Sequence, residues 1–523
     1  MNGNLRTTQT MKTTEPTQTL KKAMATATGT LLIAASAIAS ASQAPASADN
    51  TGTQQADLPK YLNTRQGFDV HALPEDQVSP SLQKGMPAHK QLMKRTKGVS
   101  TPDAVIQQNR KDDSGSRLVF FPSTPPKMMP YLDGIYVFGN TCIQPGAVIN
   151  EDPLSTGAQI VKNRLSDVGF QYSFNHGFNY TGITGPRPIG GQRDFTSYNA
   201  SLLANWFLMR TRDGSQGLFI ATEWDWGDGI NYNQRNGGPN KSLGSLQNPA
   251  ASSRGGGSYL ANVSLGYSAF DGKLVLMVGQ LDATNYLDQN AYSASGFNNL
   301  LNESFEFNQA LPIPFGAWGY HVAWQPVKSF YLMAVSAGNN YQLNHNPFQY
   351  INKNAWTNMM EAGFVSDDFM GWGPGTIRFQ YAWTRTGSEN GNAVGINWQQ
   401  QLGKHSTLGW FGRLGWADPD AAAINGVKSA VTTGLVWQAP WAAAGPFRYA
   451  NNDQLALGFL WLTPADSIKP VRNNNEYGIE LAYVMQITPT MTIEPDIQIT
   501  RNPVHGNGKD TNVVFQIQNT WHW

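Results

Sequence analysis

Apolar and polar residues alternate along much of this chain, and they do so most regularly at its carboxyl end. One face of the final segment carries Val513, Phe515, Ile517, Asn519, Trp521 and Trp523. The other face carries Val514, Gln516, Gln518, Thr520 and His522. A period of two residues predicts a β-strand with one face against an apolar environment and the other against water. Because Trp is favoured at the level of lipid headgroups, this ending is typical of the last strand of a membrane β-barrel.

Alternating segments of this kind recur along the chain. We predict sixteen strands, which begin near Val168, Thr196, Gly217, Ser258, Lys273, Gly316, Lys328, Trp356, Gly375, Ala393, Ser406, Lys428, Asp453, Glu476, Thr490 and Thr511. An even number keeps both ends of a closed antiparallel barrel on one side of the membrane. The predicted fold class is all-β: a closed antiparallel transmembrane β-barrel of about 16 strands with short periplasmic turns and long extracellular loops. It occupies residues 131–523.

The connections between these segments alternate in length. The predicted periplasmic turns are short and include residues 270–272, 325–327, 403–405 and 488–489. The predicted outer loops include the two longest connections, residues 227–257 and 282–315. Residues 439–452 are too many for a periplasmic turn, so the predicted register is least secure there.

Charged residues keep to one face of the predicted strands. Glu494 and Asp496 alternate with the apolar residues Ile493 and Ile497. A charge on the lipid face near the middle of the membrane costs about 2 to 4 kcal/mol, so both carboxylates are predicted to face the lumen. Pro495 then faces lipid. Because proline has no N–H for the ladder, we expect a bulge or a strand end there.

The amino-terminal part of the chain differs from the rest. Lys12, Lys21 and Lys22 precede an apolar run and small-residue cleavage sites, so residues 1–48 are predicted to be a signal peptide. Residues 49–130 are polar and lack periodicity, and we interpret them as a periplasmic extension, partly disordered. This extension is either mostly free or docked on the cell wall, a partner or the barrel mouth. The apolar residues at 131–138 are compatible with a plug, a helix or an extra strand.

Composition restricts the function further. The chain is 14% charged with a net charge of +1, so no overall field selects nucleic acid or a highly charged partner. After the amino terminus, no stretch has the roughly 18 consecutive apolar residues of a transmembrane helix. The single cysteine, Cys142, excludes an intrachain disulfide and a cysteine-based metal cluster. The catalytic motifs HExxH and G-x-S-x-G and a phosphate-binding loop are missing, so we predict neither an enzyme nor a metal or other bound cofactor.

Strand parity and loop composition predict the residues that line the pore. On the strands these are Glu223, Asp225, Arg378, Gln380, Arg413, Lys428, Glu480, Glu494 and Asp496. In the loop 282–315 they are Asp282, Asp288, Glu303 and Glu306, interleaved with aromatic rings. Both signs together suit a pore for uncharged polar solutes better than a ring of one sign does. If the loop folds inward, it is the best candidate for a constriction; otherwise it packs outside on its neighbours. The charged residues can also form a wall-stabilising network of ion pairs.

Several short motifs resemble a known family. The segment Glu476 to Gln486, the turn Thr488-Pro489, the run Glu494-Pro495-Asp496-Ile497-Gln498 and the pair Asn502-Pro503 resemble the carboxyl-terminal signature of carbohydrate-selective porins of the OprB family. Leu165 to Phe170 with Tyr172 and Asn179 resembles the first strand of the family. Gly279-Gln280-Leu281-Asp282 with Asn285-Tyr286-Leu287-Asp288 resembles its mid-barrel motif. The Gly-Asp-Trp-Gly-Gly-type pattern expected before the first strand is missing.

The resemblance implies an outer-membrane channel for the facilitated diffusion of carbohydrates, both mono- and disaccharides and polyols. Its expected partners are these solutes, outer-membrane lipid and lipopolysaccharide. In the loop 227–257, which we expect to be flexible, Arg235, Lys241 and Arg254 are candidates for lipopolysaccharide phosphates. One alternative is a general or weakly ion-selective diffusion porin without a sugar site, and another is a non-conducting barrel that serves as an adhesin or scaffold. The preferred sugar, and the choice between monomer and homotrimer, stay open.

Overall fold

One antiparallel sheet contains all the strands of the described residues. In the computed structural model, the described residues are 118–123, 125–129, 153–185, 192–232, 238–250, 257–293, 299–339, 355–386, 388–403, 406–438, 440, 453–468, 475–505 and 511–523. Their strands are β1 Leu118–Phe120, β2 Phe170–Thr184, β3 Asp194–Thr211, β4 Gly217–Gly229, β5 Gly257–Ala269, β6 Leu274–Leu281, β7 Ala317–Val327, β8 Phe330–Gly338, β9 Ala355–Ser366, β10 Gly375–Thr386, β11 Glu389–Gln401, β12 Leu408–Ala417, β13 Val427–Gln438, β14 Gln454–Pro464, β15 Glu476–Thr488, β16 Met491–Arg501 and β17 Thr511–His522. Their α-helices are α1 Pro153–Ser166, α2 Pro239–Leu243 and α3 Pro419–Asn425.

Strands β2 to β17 form a closed barrel. They pair in chain order, each antiparallel to the next, and β17 pairs with β2 from Val513 opposite Thr184 to His522 opposite Asn175. The predicted fold class, a closed antiparallel barrel of sixteen strands, is therefore confirmed. The predicted strand starts lie close to the observed ones. The largest difference is at β11, which begins at Glu389 rather than near Ala393.

The two faces of the barrel wall differ in exposure. The outward residues Ile479 and Phe515 are 46% and 44% exposed, whereas the inward residues Glu480 and Gln516 are 1% and 0% exposed. The predicted parity of β15 and β17 is confirmed, and Glu494 and Asp496 of β16 are buried on the inner face. An apolar outer band and a polar inner face are the arrangement that a lipid-embedded barrel needs.

The expected bulge or strand end at Pro495 is wrong. β16 continues through Pro495 without a register shift, and its partner on β17 is Ile517. Against β15 the register is also the same on both sides of the proline, but Tyr483 and Val484 have no ladder partner on β16. The missing N–H of proline thus leaves a local gap in the ladder instead of an inserted residue.

Short turns lie at one end of the barrel and long loops at the other. Residues 489–490 and 328–329 form two of the turns, while the connections 230–256 and 282–316 lie at the opposite end. β7 extends through the predicted turn at 325–327, so that turn begins at Lys328. Since outer-membrane barrels have short periplasmic turns, we define these as the turn end and the loop end. Most of residues 439–452 lie outside the described residues.

Part of the predicted extension packs on the turn end, as a segment that we define as the strap (residues 118–123 and 125–129). β1 pairs with the end of β3, from Leu118 opposite Thr211 to Phe120 opposite Met209. The predicted signal peptide, the rest of the extension before residue 118, and residues 131–138 lie outside the described residues.

The strap then crosses from the outer to the inner side of the rim. Phe121 stacks on the outward-facing ring of Trp206 with centroids 5.7 Å apart. Further along, the N–H of Met129 donates to Gly272 O at 2.7 Å. The side chain of Met129 is buried in one apolar cluster with the inward residue Phe207. Within the described residues, no helix has both the length and the apolar character to cross a membrane.

Candidate functional site

The longest connection at the loop end folds back into the barrel. We define residues 282–316 as the inward loop, of which residues 282–293 and 299–316 are described. The side chains of Asp282 and Asn302 accept hydrogen bonds from backbone N–H groups two residues on, and each begins a short 3₁₀ turn. Leu287, Leu300 and Leu311 are buried. The loop therefore packs inside the barrel rather than over its outer surface.

Asp288 joins the inward loop to four adjacent strands. Its carboxylate accepts hydrogen bonds from Gln380 of β10 at 2.9 Å, Asn397 of β11 at 2.7 Å and Arg413 of β12 at 3.0 Å. Its backbone N–H donates to the carboxylate of Glu361 on β9 at 2.8 Å. Three predicted pore residues, Asp288, Gln380 and Arg413, thus meet at one place on the inner wall.

Arg413 uses its guanidinium to hold the inward loop. Besides the ion pair with Asp288, its Nη1 donates to Ser293 Oγ and Phe305 O, both at 2.7 Å. Its Nη2 donates to the carbonyl oxygens of Asp288 and Glu306, both at 3.0 Å. A guanidinium has five N–H groups, so these contacts and the bond to Ser293 O engage the whole group. The arrangement anchors a loop and leaves no donor for a solute.

Arg378 has a different environment on β10. Its Nε donates to the Tyr331 hydroxyl at 2.9 Å and lies 3.9 Å from Glu361 Oε1. The Tyr331 hydroxyl donates in turn to Glu361 at 2.8 Å. Arg378 Nη1 is buried and has no hydrogen-bond partner among the described residues. An unsatisfied buried donor costs about 1 to 3 kcal/mol, so this atom is suited to an additional hydrogen-bond acceptor such as a water.

Carboxylates on β15 and β16 face another part of the inward loop. Glu480 accepts hydrogen bonds from the N–H groups of Leu301 at 2.5 Å and Asn302 at 3.2 Å. Asp496 Oδ1 accepts from Gln498 at 3.0 Å and from Gln516 at 3.2 Å. Asp496 Oδ2 and Glu494 Oε1 are buried acceptors with no partner among the described residues. This side of the wall therefore holds the loop through Glu480 and also has two buried acceptor atoms without a partner among the described residues.

A second connection, between β4 and β5, also enters the barrel. The N–H groups of Leu246 and Gln247 donate to Glu476, each at 3.1 Å. The carbonyl of Pro249 accepts from Gln498 and Gln516 at 2.8 and 2.6 Å. The expectation of a flexible outer loop is therefore wrong for residues 245–250.

Of the basic residues considered for lipopolysaccharide in that connection, only Lys241 lies among the described residues. It is exposed, while Arg235 and Arg254 lie outside them.

Three other predicted pore residues lie apart from Asp288. Glu223 and Asp225 are inward on β4, where Glu223 accepts a hydrogen bond from Asn285. Glu303 accepts from Asn248 at 2.9 Å, which joins the two inward connections.

Lys428 lies at a register shift at the start of β13 and forms an ion pair with Asp466 at 3.1 Å near the loop end. Both of these side chains are substantially exposed, so the pair is remote from the buried wall.

The aromatic rings of the inward loop pack on glycines of the wall. The ring of Tyr292 covers Gly409, and that of Phe305 covers Gly458. A Cβ at either glycine would lie 2.2 or 2.5 Å from the ring above it, so a larger residue would displace the loop. These two aromatic rings of the predicted constriction loop therefore pack on the wall.

Tyr286 is buried against the opposite part of the wall and stacks on His321 with centroids 4.8 Å apart. Burial, followed by the nearby charges of Glu223 and Asp282, raises the pKa of the Tyr286 phenol well above its usual value. The phenol is therefore neutral at any physiological pH and serves as a hydrogen-bonding apolar ring.

Sequence reasoning missed Glu361, Tyr331 and Asn397, which complete the surroundings of Asp288 and Arg378. The alternation of β9 contained a usable signal, because it places Glu361 on the same face as the small and apolar residues Ala355 and Met359. Nothing in the sequence indicated that Asp288 would meet this strand.

Comparison with known proteins agrees with this architecture. Residues 384–523 match the family model described as "Carbohydrate-selective porin, OprB family". A high-pH structure of Pseudomonas putida OprB is similar over 69% of this chain and 96% of that chain, with 16% sequence identity and a TM-score of 0.57. Its low-pH structure gives 15% identity and a TM-score of 0.43 over 69% of this chain and 95% of that chain. A mutant of Rh. blastica porin has 12% sequence identity and a TM-score of 0.42, and the similarity covers 68% of this chain and 100% of that chain. A comparison with curated proteins gave no match.

Fold and family therefore agree. The barrel closes with sixteen strands, its outer face is apolar, and its carboxyl-terminal part carries the family match. These properties are those of an outer-membrane channel. Over residues 384–523, the chain is similar to the OprB family of carbohydrate-selective porins.

Proposed function

We propose that this channel carries carbohydrates, meaning mono- and disaccharides and polyols, across the outer membrane by facilitated diffusion. The name of the matching family supports this substrate class. The physical support comes from the inner wall of the barrel, because a neutral polyhydroxylated solute needs many uncharged donors and acceptors along its path.

The inner wall of β16, β17, β2 and β3 carries the observation that supports the proposal most. Its buried inward residues are largely amides and hydroxyls, namely Asn175, Asn179, Thr181, Ser197, Asn199, Ser201, Asn205, Thr492, Gln498, Thr500, Asn512, Gln516, Gln518 and Thr520. An amide offers both donor and acceptor, so a sugar hydroxyl can exchange one wall contact for the next in either orientation. A wall of this kind favours neutral polar solutes, because its uncharged groups do not attract ions of either sign.

Arg378, Glu494 and Asp496 add stronger contacts to this wall. Each has a buried atom without a partner among the described residues, one donor and two acceptors. Hydrogen bonds to charged groups are stronger than those between neutral groups, at about 1.5 to 3 kcal/mol. We assign these three residues to transient solute binding and Arg413 to holding the loop.

Liposome swelling tests this proposal. Proteoliposomes should admit sugars faster than amino acids or organic anions of equal size. Asn199→Leu, on the inner wall, removes one exchangeable amide and should lower the sugar rate relative to the amino acid rate by about two- to tenfold, the value of one hydrogen bond. Asn519→Leu makes the same change on the outer face and should leave the ratio unchanged. Equal rates for sugars and other solutes in the unmodified protein would contradict the proposal.

One observation favours the alternative, a general diffusion porin without a sugar site. Asp288 and Arg413 are engaged with each other and with the loop, so these predicted sugar contacts are not available. In that case, swelling rates should follow solute size alone.

A further inference from the structure

Helix α1 has its polar face buried and an apolar face exposed. Ser155, Gln159, Lys162 and Ser166 are all buried. On the other side, Val161 is 50% exposed and Leu154 is also exposed. This orientation is the reverse of that of a surface helix in a water-soluble protein, whose apolar stripe faces the protein core.

The apolar residues form one continuous stripe. Leu154, Ala158, Val161 and Leu165 are separated by four, three and four residues, so they follow one side of the helix. Val168, just after the helix, is exposed and continues the stripe. Arg164 is exposed beside it.

This stripe is continuous with the apolar outer surface of the barrel at the turn end. The indole Nε1 of Trp206, an outward residue of β3, donates to Val168 O at 3.3 Å. Phe121 of the strap stacks on the same Trp206. Lys162 Nζ lies 5.0 Å from the ring centroid of Tyr172, an outward residue of β2, whereas Ser166 accepts a hydrogen bond from the inward residue Gln171. The buried face of α1 therefore packs across the rim of the barrel. Phe120, next in the strap, is 64% exposed.

We propose that α1 and the strap residues Phe120 and Phe121 form a collar that lies in the headgroup region of the periplasmic leaflet of the outer membrane. The occupant of the exposed face is phospholipid, because that face continues the lipid-facing surface of the barrel. A helix with an apolar stripe and an exposed arginine beside it, here Arg164, is suited to this position, since the apolar side enters the acyl boundary and the guanidinium reaches the phosphates. The collar would hold the amino-terminal extension at the membrane surface beside the barrel rather than in the pore.

Site-directed spin labelling tests this collar in the full-length mature protein, reconstituted in phosphatidylethanolamine and phosphatidylglycerol vesicles. The one native cysteine is first removed by Cys142→Ser. A label at Val161→Cys should then show a several-fold higher ratio of accessibility to oxygen over a water-soluble nickel complex than a label at Asn163→Cys. Asn163 is the matched control because it lies on the same helix, away from the stripe. The heat-dependent gel mobility of the folded barrel verifies that each variant folds.

Two results would overturn the proposal. One is a label at residue 161 as accessible to the nickel complex as the label at residue 163. The other is dipolar broadening at residue 161 that disappears on dilution with unlabelled protein, because a second copy of the chain would then cover the stripe. Conductance measured on the same preparations keeps the outcome separate from sugar transport, since the lipid contact does not depend on which solute passes.

Discussion

Arg378 and Arg413 show how residues with the same strand parity acquire different roles. Both are buried and inward, and the sequence predicted that both line the pore. The inward loop distinguishes them, because it surrounds the guanidinium of Arg413 with carbonyl, hydroxyl and carboxylate oxygens and leaves Nη1 of Arg378 without a partner among the described residues. Strand alternation predicts the face of a side chain and cannot predict the loop that comes to lie against it.

Arg413→Ala should loosen the inward loop. Removing one partner of a buried ion pair typically destabilises by about 3 to 5 kcal/mol, because Asp288 would remain buried without its cation. We expect a lower unfolding midpoint in urea and larger fluctuations of single-channel current. Lys428→Ala is the control, since its exposed pair with Asp466 is worth at most about 1 kcal/mol. Equal effects of the two substitutions would show that Arg413 does not hold the loop.

Asp213, in the turn between β3 and β4 at the turn end, gives a prediction on pH. A hydrogen bond from the Thr211 hydroxyl at 2.6 Å, followed by bonds from the Ser215 N–H and hydroxyl, lowers the pKa of Asp213 to about 2. With a folded pKa below the unfolded value of about 3.9, the carboxylate stabilises the turn above pH 3.9, and this contribution is lost as the pH falls through about 2. Carboxyl-carbon NMR of the detergent-solubilised protein measures the titration. A midpoint near 3.9 would contradict the turn geometry.

At the scale of elements, strands were predictable and the connections inside the barrel were not. The lipid environment imposes a strict alternation on each strand, so the starts of β4, β10, β15 and β17 were predicted to the residue. The inward loop and residues 245–250 have no such period. Their positions depend on single contacts, such as Asp288 with Arg413 and Leu246 with Glu476, between residues far apart in sequence.

The strap packs against a glycine at the turn end of the barrel wall. Gly217 faces Pro126, and a Cβ at residue 217 would lie 2.5 Å from the proline ring. Gly217→Ala should therefore displace the strap and speed cleavage within residues 118–129 by a protease added to the detergent-solubilised barrel. Gly157→Ala, in α1, is the control, because nothing lies within 4 Å of the added methyl group. Unchanged cleavage in Gly217→Ala would show that the strap does not depend on this contact.

For the whole molecule, the fold could be predicted from the sequence because of the constraints that a bilayer imposes on the chain. Every backbone group that crosses lipid must be paired, so a chain with alternating segments and no long apolar run has a closed barrel as its solution. The side chains of the inner wall are less constrained, because either water or a loop can satisfy their hydrogen bonds. This is why the sequence predicted Glu480, Glu494 and Asp496 as inward residues but could not distinguish a solute contact from a loop contact.

We propose that neutral sugars occupy the lumen of this barrel while they cross it. This occupancy can be measured as ion current through single channels in planar bilayers while glucose, other sugars and polyols are added, because a bound sugar excludes ions from the narrowest part of the path. We predict a stepwise or graded reduction of current that saturates with sugar concentration and is weaker in Arg378→Ala. A current that falls only as much as the bulk conductivity of the sugar solution, or a barrel that conducts no current at all, would contradict the account.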